Sequence, residues 1–576
     1  MVKAIRLVSF LLLLAATGLR AQPAEPPDSV VEQSLYIGSF DGTRLAVTVF
    51  RPINDGRYPV IVTQDRGESG ERARTRQFFV EHGYVVVAQD RRGTGASFGT
   101  QTGFVTREDL RDAEAVIEWA AGQDFSTGAV GAMGCSNQGV WQYGVAALQP
   151  VGLKAIVPGC ASPAFFDNAV TLNGVPMFEL RKAFYDGTCP DGSRLPAQPA
   201  GTVQPVDSDR DGSLLRQALA TRGCTSPMLG QYWLNMPRDG WNAYTLHRPA
   251  IDDTPISRWR EIQDSGVAIL QLGGWFDAAV AGQLQGHALW GGRLIMGPWV
   301  HGNRLPNGAN FSAGQLDLNQ ETLRWFDHFL KGQDTGQPVT GIRYYVINAP
   351  PGEEWRTREA WPLVGDGKTR FFLSGTALSR QGPGTSSVPA SIPGEGVRWF
   401  DGRYAPLGRW WPGDMAKADE KSLVHTSEAL PRDTEMTGAP VARLWITSDA
   451  PDLNLYAVIE DVAPDGRSTH VTDGRLRASW RALTAAPWAG SEVTWHRGLA
   501  QDLLALEPGR PAELVFDFFP IAYNFRAGHR IRIALTTSIG EAYQQPPSAG
   551  TSIPTAMLLR GARHPSAVDL PLASNR

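Results

Sequence analysis

Residues 129–140 read Ala-Val-Gly-Ala-Met-Gly-Cys-Ser-Asn-Gln-Gly-Val, an apolar run that reaches a serine and passes into helix-compatible residues. A compact apolar run, a turn of small residues and then a helix mark the point where a parallel strand feeds its crossover helix. A serine at that point sits on a tight turn with Oγ directed out of the sheet, toward the helix N-terminus. Gly134 and Gly139 supply the small neighbours such a turn needs. The second glycine stands three residues after Ser136, one further than in the common pentapeptide. Capping of a helix would also account for a serine here, so the stretch decides the fold class and leaves the chemistry to its partners.

Outward from this junction the chain keeps an alternating rhythm. Leu35 to Phe50 reads as a hairpin turning at Asp41-Gly42, and Tyr58 to Thr63 and Tyr84 to Gln89 read as buried parallel strands. Arg107 to Ala121 carries Leu110, Ala113, Val116, Ile117 and Ala120 at helical spacing, and a helix starts near Asn137. Leu153 to Pro158, Val267 to Leu272 and Arg293 to Met296 read as further strands, with a closing helix over Asn319 to Leu330. Ala164 to Arg260 breaks the rhythm with Gly, Pro and Asp, which predicts an insertion lying over the sheet edge as a cap. After Gly332, short runs such as Ile342 to Ile347, Thr369 to Leu373, Ala442 to Thr447 and Arg530 to Leu535 predict a β-sandwich.

With 576 residues the chain exceeds one core, since single cores stop growing at roughly 250–300 residues. The expected division is a leader over 1–21, an α/β domain over 22–163 and 261–335, its cap over 164–260, and the sandwich over 336–576. The formal charge of -4 and 19% charged residues leave no basic excess for phosphates, so nucleic acid is not an expected partner. Lys3 and Arg6, an apolar run from Leu7 to Leu19 and then Ala21 before a Pro-rich stretch have the layout of a secretory signal peptide. The run falls short of the about 20 apolar residues of a membrane span. The expected location is therefore exported, periplasmic or secreted, with no membrane span in the mature chain. Export permits disulfides among Cys135, Cys160, Cys189 and Cys224. Cys189 with Cys224 is the favoured pair, because both lie in a polar segment poor in core. For Cys135 and Cys160, buried thiols and a bridge between neighbouring strand ends both fit.

A serine hydroxyl is a weak nucleophile until a base takes its proton, and the base needs a third group to fix its tautomer. In a sheet of this kind the partners follow the serine as Asp or Glu and then His. Asp277, in Leu-Gly-Gly-Trp-Phe-Asp, comes directly after one strand-like run, and His301, in Gly-Pro-Trp-Val-His-Gly, after the next. Strand carboxyl ends are where reacting groups gather in open α/β sheets. Helix capping is the competing role for Asp277. Among the ten histidines His247 is the one serious rival to His301, and no strand run precedes it. Asp207-Ser-Asp-Arg-Asp-Gly resembles the start of a calcium loop, yet Ala218 stands where the bidentate glutamate belongs, which favours a solvated acidic turn. Trp410-Trp411 suits a surface for sugars or aromatic acyl groups, with packing the commoner use.

Gln-Asp-Arg-Arg-Gly-Thr-Gly-Ala-Ser (89–97), Gly-Cys-Ser-Asn-Gln-Gly (134–139), Gly-Trp-Phe-Asp (274–277), Gly-Pro-Trp-Val-His-Gly (297–302) and Trp-Phe-Asp-His-Phe-Leu-Lys-Gly (325–332) occur in that order. Together they resemble the CocE/NonD hydrolases, which include cocaine esterase, α-amino-acid ester hydrolases, glutaryl-cephalosporanic acid acylases and X-Pro dipeptidyl peptidases. The likeness continues through Ala-Gly-His-Arg-Ile-Arg-Ile (527–533). It implies an α/β-hydrolase domain with an inserted helical cap, a C-terminal jelly-roll β-sandwich, and the triad Ser136, Asp277 and His301. It also implies no metal or organic cofactor, a small-molecule ester or amide as partner, and a homo-oligomer as the assembly to look for.

One departure stands out. Relatives carry a Pro-Tyr pair after the third strand, whose tyrosine helps form the oxyanion hole, whereas Val-Thr-Gln-Asp-Arg-Gly-Glu-Ser-Gly (62–70) has no tyrosine. The backbone N–H of Asn137 is one expected donor, and Arg66 or Gly67 the second. Glu68, a remnant of the carboxylates that hold an α-amino group, and Trp275 are the expected substrate contacts. The leading expectation is an exported serine hydrolase cleaving an ester or amide. The alternatives are an X-Pro dipeptidyl aminopeptidase and a weak or inactive carbohydrate-binding protein using its jelly roll.

Overall fold

The computed structural model describes residues 30–64, 70–101, 105–167, 171–176, 203–221, 237–240, 254–306, 311–361, 367–383, 388–394, 414–488, 494–539 and 554–573. The strands expected around Ser136 join in a ten-stranded sheet. Its members are β1 (Val30–Gly38), β2 (Arg44–Pro52), β3 (Tyr58–Thr63), β4 (Val85–Gln89) and β5 (Ser126–Cys135). They continue with β6 (Leu153–Gly159), β7 (Ala268–Phe276), β8 (Arg293–Val300), β9 (Gly341–Tyr345) and β10 (Trp355–Arg358). Across the sheet the order is β1-β2-β4-β3-β5-β6-β7-β8-β9-β10. Neighbours from β4 to β9 are parallel, while β1, β2 and β10 are antiparallel additions.

Parallel strands need crossovers, and the helices that make them cover both faces. These are α1 (Glu71–Glu81), α2 (Arg107–Ala121), α3 (Asn137–Ala146), α4 (Val280–Trp290) and α5 (Leu318–Lys331). Because side chains alternate along a strand, Val60 and Val62 join the core containing Val116, Ile117 and Val140, while Ile61 between them joins Phe79 and Phe326 on the other face. Burial on both faces is why the strand sequences read as continuous apolar runs. Helix α2 starts where expected because Thr106 and Asp109 cap it reciprocally: each side chain accepts from the other's backbone N–H, at 3.2 and 2.9 Å.

Both β7 and β8 run four residues beyond their expected ends. Gly273-Gly274 and Gly297-Pro298 look like strand breakers, but the glycines serve close packing: a Cβ on Gly274 would sit 2.2 Å from the carbonyl oxygen of Trp299. The domain boundary at 335 needs correction. Ile342 to Ile347, read as part of the sandwich, contains β9, which pairs with β8, and β10 follows it into the same sheet. Periodicity reports how a strand is buried and carries no mark of which sheet it joins.

Beyond residue 367 an eleven-stranded, mainly antiparallel sheet and the ribbon of Thr434–Gly438 with Ile521–Phe525 form the expected β-sandwich domain. The two domains are stitched at the backbone, where Ile347 N–H donates to Ala522 O (2.9 Å) and Asn524 N–H to Ile347 O (2.8 Å). The described parts of 164–260 include the hairpin Thr171–Pro176, the helix Ser213–Thr221 and the helical turn Pro255–Arg258. The acidic run serves the fold: Asp207 accepts from Ser34 N–H at 2.7 Å, Asp209 from Leu214 and Leu215 N–H at 3.0 and 2.8 Å, and Asp211 from Ser213 N–H at 3.1 Å. Among the described residues no helix is long and apolar enough to cross a membrane.

Candidate active site

Strands β5, β7 and β8 each end on the residue just before a candidate, so Ser136, Asp277 and His301 leave one edge of one sheet. Phe276 and Val300 are register partners, which makes the two following side chains neighbours despite a sequence separation of 24. His301 Nδ1 lies 2.9 Å from Asp277 Oδ2. The other carboxylate oxygen accepts from Ala279 N–H at 2.8 Å, at the entry to α4. The two carboxylate oxygens are thus divided, one on His301 and one on the turn that leads into α4.

Asp277 is 1% exposed and His301 28% exposed at their side chains. Burial opposes charging of the imidazole, but the carboxylate of Asp277 outweighs it by charge and hydrogen bond, with Arg304 acting against. The net effect holds the pKa of His301 above its ordinary 6.5.

Ser136 adopts φ 63 and ψ -129, a region that strains any residue with a Cβ. Its N–H donates to Gly159 O on β6 at 3.0 Å, and its carbonyl accepts from Gly139 and Val140 N–H at 2.8 and 2.9 Å. The surroundings leave room for nothing larger than glycine at two positions. A Cβ on Gly134 would lie 2.7 Å from Gln138 O, and one on Gly139 would lie 2.5 Å from Ala161 Cβ. The displaced glycine is thus set by how α3 settles against the end of β6. Asn137 opens α3, and an N–H in the first turn of a helix has no intrahelical acceptor.

Arg66, Gly67 and Glu68 lie outside the described residues, as do His247, Cys189, Cys224 and Trp410-Trp411. Trp275 is a correction. It is fully buried, donates its indole N–H to Tyr345 O at 2.6 Å and packs on Tyr344 and Trp361. Both faces of β7 are buried, so its ring is closed in by Tyr344, Tyr345 and Trp361 and does not reach the surface.

Two features were harder to foresee. Cys135 and Cys160 are joined as a disulfide, the second of the two readings the sequence allowed. Both sulfurs and a ring nitrogen of His301 lie within 4.8 Å of one another. The signal was adjacency of consecutive parallel strand ends. The block 89–97, in contrast, is architectural: Arg91 pairs with Asp109 at 2.8 Å, and Arg92 with Asp112 and Asp41 at 2.7 Å each.

A sequence profile of the X-Pro dipeptidyl-peptidase (S15 family) matches residues 41–303, and one of the X-Pro dipeptidyl-peptidase C-terminal non-catalytic domain matches residues 321–569. The chain is 29% identical to a Mycobacterium bovis protein classed as a candidate serine esterase, covering 94% of this chain and 95% of that one. It is 27% identical to the cocaine esterase of Rhodococcus, over 94% and 98% of the two chains. The crystal structure of a CocE/NonD family hydrolase from Staphylococcus aureus superposes with a TM-score of 0.68 at 19% identity, covering 95% and 94%. Profile matches running from residue 41 to residue 569, on a two-domain fold shared with solved relatives, make this chain a member of the CocE/NonD family of serine hydrolases.

Proposed function

We propose that the chain hydrolyses carboxylic esters through an acyl-enzyme on Ser136. His301 takes the serine proton as Oγ attacks the ester carbonyl, and returns it to the departing alkoxide, which leaves as an alcohol. Water, activated by the same imidazole, then releases the acid and restores the serine. Asp277 fixes the imidazole and stabilises its charged form. The oxyanion is held by Asn137 N–H and by a second donor, the backbone or side chain of Arg66 or the backbone of Gly67. The observation that carries this reading is the 2.9 Å Asp277–His301 pair, at the sheet edge from which Ser136 also departs.

Fluorophosphonate labelling followed by peptide mapping tests it: a label on Ser136, absent in Ser136→Ala, is the expected result. No labelling of the native protein would return the carbohydrate-binding alternative. Ester is preferred over amide because the identities of 29% and 27% are to proteins named as esterases. The profile matches favour an X-Pro dipeptidyl aminopeptidase as the second reading. A panel of p-nitrophenyl esters against X-Pro p-nitroanilides separates them by kcat/KM.

We also infer an oxidising compartment. The apolar leader and the Cys135–Cys160 crosslink support it, and N-terminal sequencing of protein recovered outside the cytoplasm checks it.

A further inference from the structure

We propose that the Cys135–Cys160 crosslink keeps His301 available to Ser136, so that hydrolysis runs in the disulfide form and is strongly slowed when the pair is reduced. This rests on the roles given to Ser136 and His301 above.

Cys135 is the last residue of β5, directly before Ser136, and Cys160 is the first after β6. Cys135 is the register partner of Gly159, and the two cysteine Cα atoms are 5.3 Å apart. The same strand ends are held independently of the sulfurs. Ser136 N–H donates to Gly159 O at 3.0 Å, and Cys160 N–H to Leu272 O on β7 at 2.8 Å. Breaking the crosslink therefore leaves both sulfurs beside His301, whose ring nitrogen lies within 4.8 Å of each.

As a disulfide, neither sulfur carries a proton. A dithiol changes that: its thiolate attacks one sulfur, a mixed disulfide forms, and the second thiol closes on the first. Two electrons and two protons pass to Cys135 and Cys160, and the reductant leaves as its own disulfide. A cysteine thiol titrates at about 8.5, which makes it a far stronger acid than a serine hydroxyl. The nearer thiol gives its proton to His301, and a thiolate–imidazolium pair results, the arrangement that activates cysteine nucleophiles elsewhere. Asp277 favours the same imidazolium and Arg304 opposes it. A charged imidazole cannot accept the proton of Ser136.

The test uses the full chain carrying Cys189→Ala and Cys224→Ala, so that Cys135 and Cys160 are the only cysteines left. It is assayed as purified, and again after treatment with dithiothreitol and anaerobic desalting. The reduced protein is expected to lose about a hundredfold in kcat, the low end of what a positioned general base supplies, with KM little changed. Ultraviolet thiolate absorbance should appear at neutral pH, vanish with His301→Ala, and disappear on reoxidation as activity returns. Cys135→Ala/Cys160→Ala has no thiol to donate and should retain most of the activity of the oxidised form.

Reduction that lowers only the melting temperature, with kcat and its pH profile intact, would make the crosslink a staple and overturn the proposal. The double alanine variant falling as far as the reduced protein, without a thiolate band in the latter, would also overturn it. An oxidised protein that neither labels nor hydrolyses would instead defeat the hydrolase reading itself.

Discussion

Two glycine-rich turns leave the same edge of the sheet, one after β4 and one after β5, with β3 between their strands. In the first, nearly every polar group is spent inside the protein. Asp90 accepts from Ala96 N–H at 2.8 Å, Arg91 is paired with Asp109, and Arg92 is forked onto Asp112 and Asp41. A Cβ on Gly95 would lie 2.1 Å from the carboxyl of Asp90, so that turn is closed around its own carboxylate. In the second, a strained, half-buried serine stands beside a helix N-terminus, and the nearby carboxylate keeps a partly exposed histidine in place. Equal glycine content thus yields a bolt in one place and a reactive edge in the other. What separates them is how far the paired groups are buried: Arg91, Asp109 and Asp112 are closed inside the fold, whereas His301 is 28% exposed at the sheet edge.

The contrast can be broken from either side. The largest effect belongs to Ser136→Ala, expected to lower kcat by about 10⁶-fold while a circular-dichroism melt stays within a degree or two of the parent by the usual scale of surface changes. Asp277→Asn should cost about 10⁴-fold in kcat by freeing the wrong tautomer. It also removes the group that raises the pKa of His301. The neutral imidazole is the working form, so parent activity should fall as pH drops through a value above 6.5, and that acid limb should move to lower pH in the variant. The comparison is the log of kcat/KM against pH.

On the other turn the ranking inverts. Arg92→Ala leaves Asp112, 1% exposed at its side chain, without its cation. It should destabilise the fold by about 3–5 kcal/mol in a urea melt, with kcat of the folded fraction close to the parent. Smallest is Asp209→Ala in the cap, where loss of the hydrogen bonds to Leu214 and Leu215 N–H should cost about 1 kcal/mol and leave kcat alone. An Arg92→Ala protein that melts normally but has lost activity would erase the distinction between the turns.

Much of this was readable from residue order. The limits of β3 and α2 coincide with the pattern, because one is a two-face apolar run between turns and the other opens with a capping box. The three side chains at the edge were found by their placement after apolar runs. Harder to read were features set by contact between distant segments. Gly274 and Gly297 look like terminators, yet they let β7 and β8 pass Trp299. Trp275, read as a substrate contact, is instead closed in by Tyr344, Tyr345 and Trp361, some seventy and more positions further along the chain. The pairing of Cys135 with Cys160 needed the sheet order, which spacing alone does not disclose.

The late strands β9 and β10 bear on how the protein can be handled. A fragment cut at residue 335, the boundary suggested by composition, would strip them from the sheet and leave β8 with a bare row of amide and carbonyl groups. Unpaired edges of that kind recruit other chains, and this one ends at Val300, directly before His301. Anyone wishing to excise a minimal catalyst should therefore carry the chain past Arg358, and should expect Ile347 still to reach for its missing partners on Ala522 and Asn524.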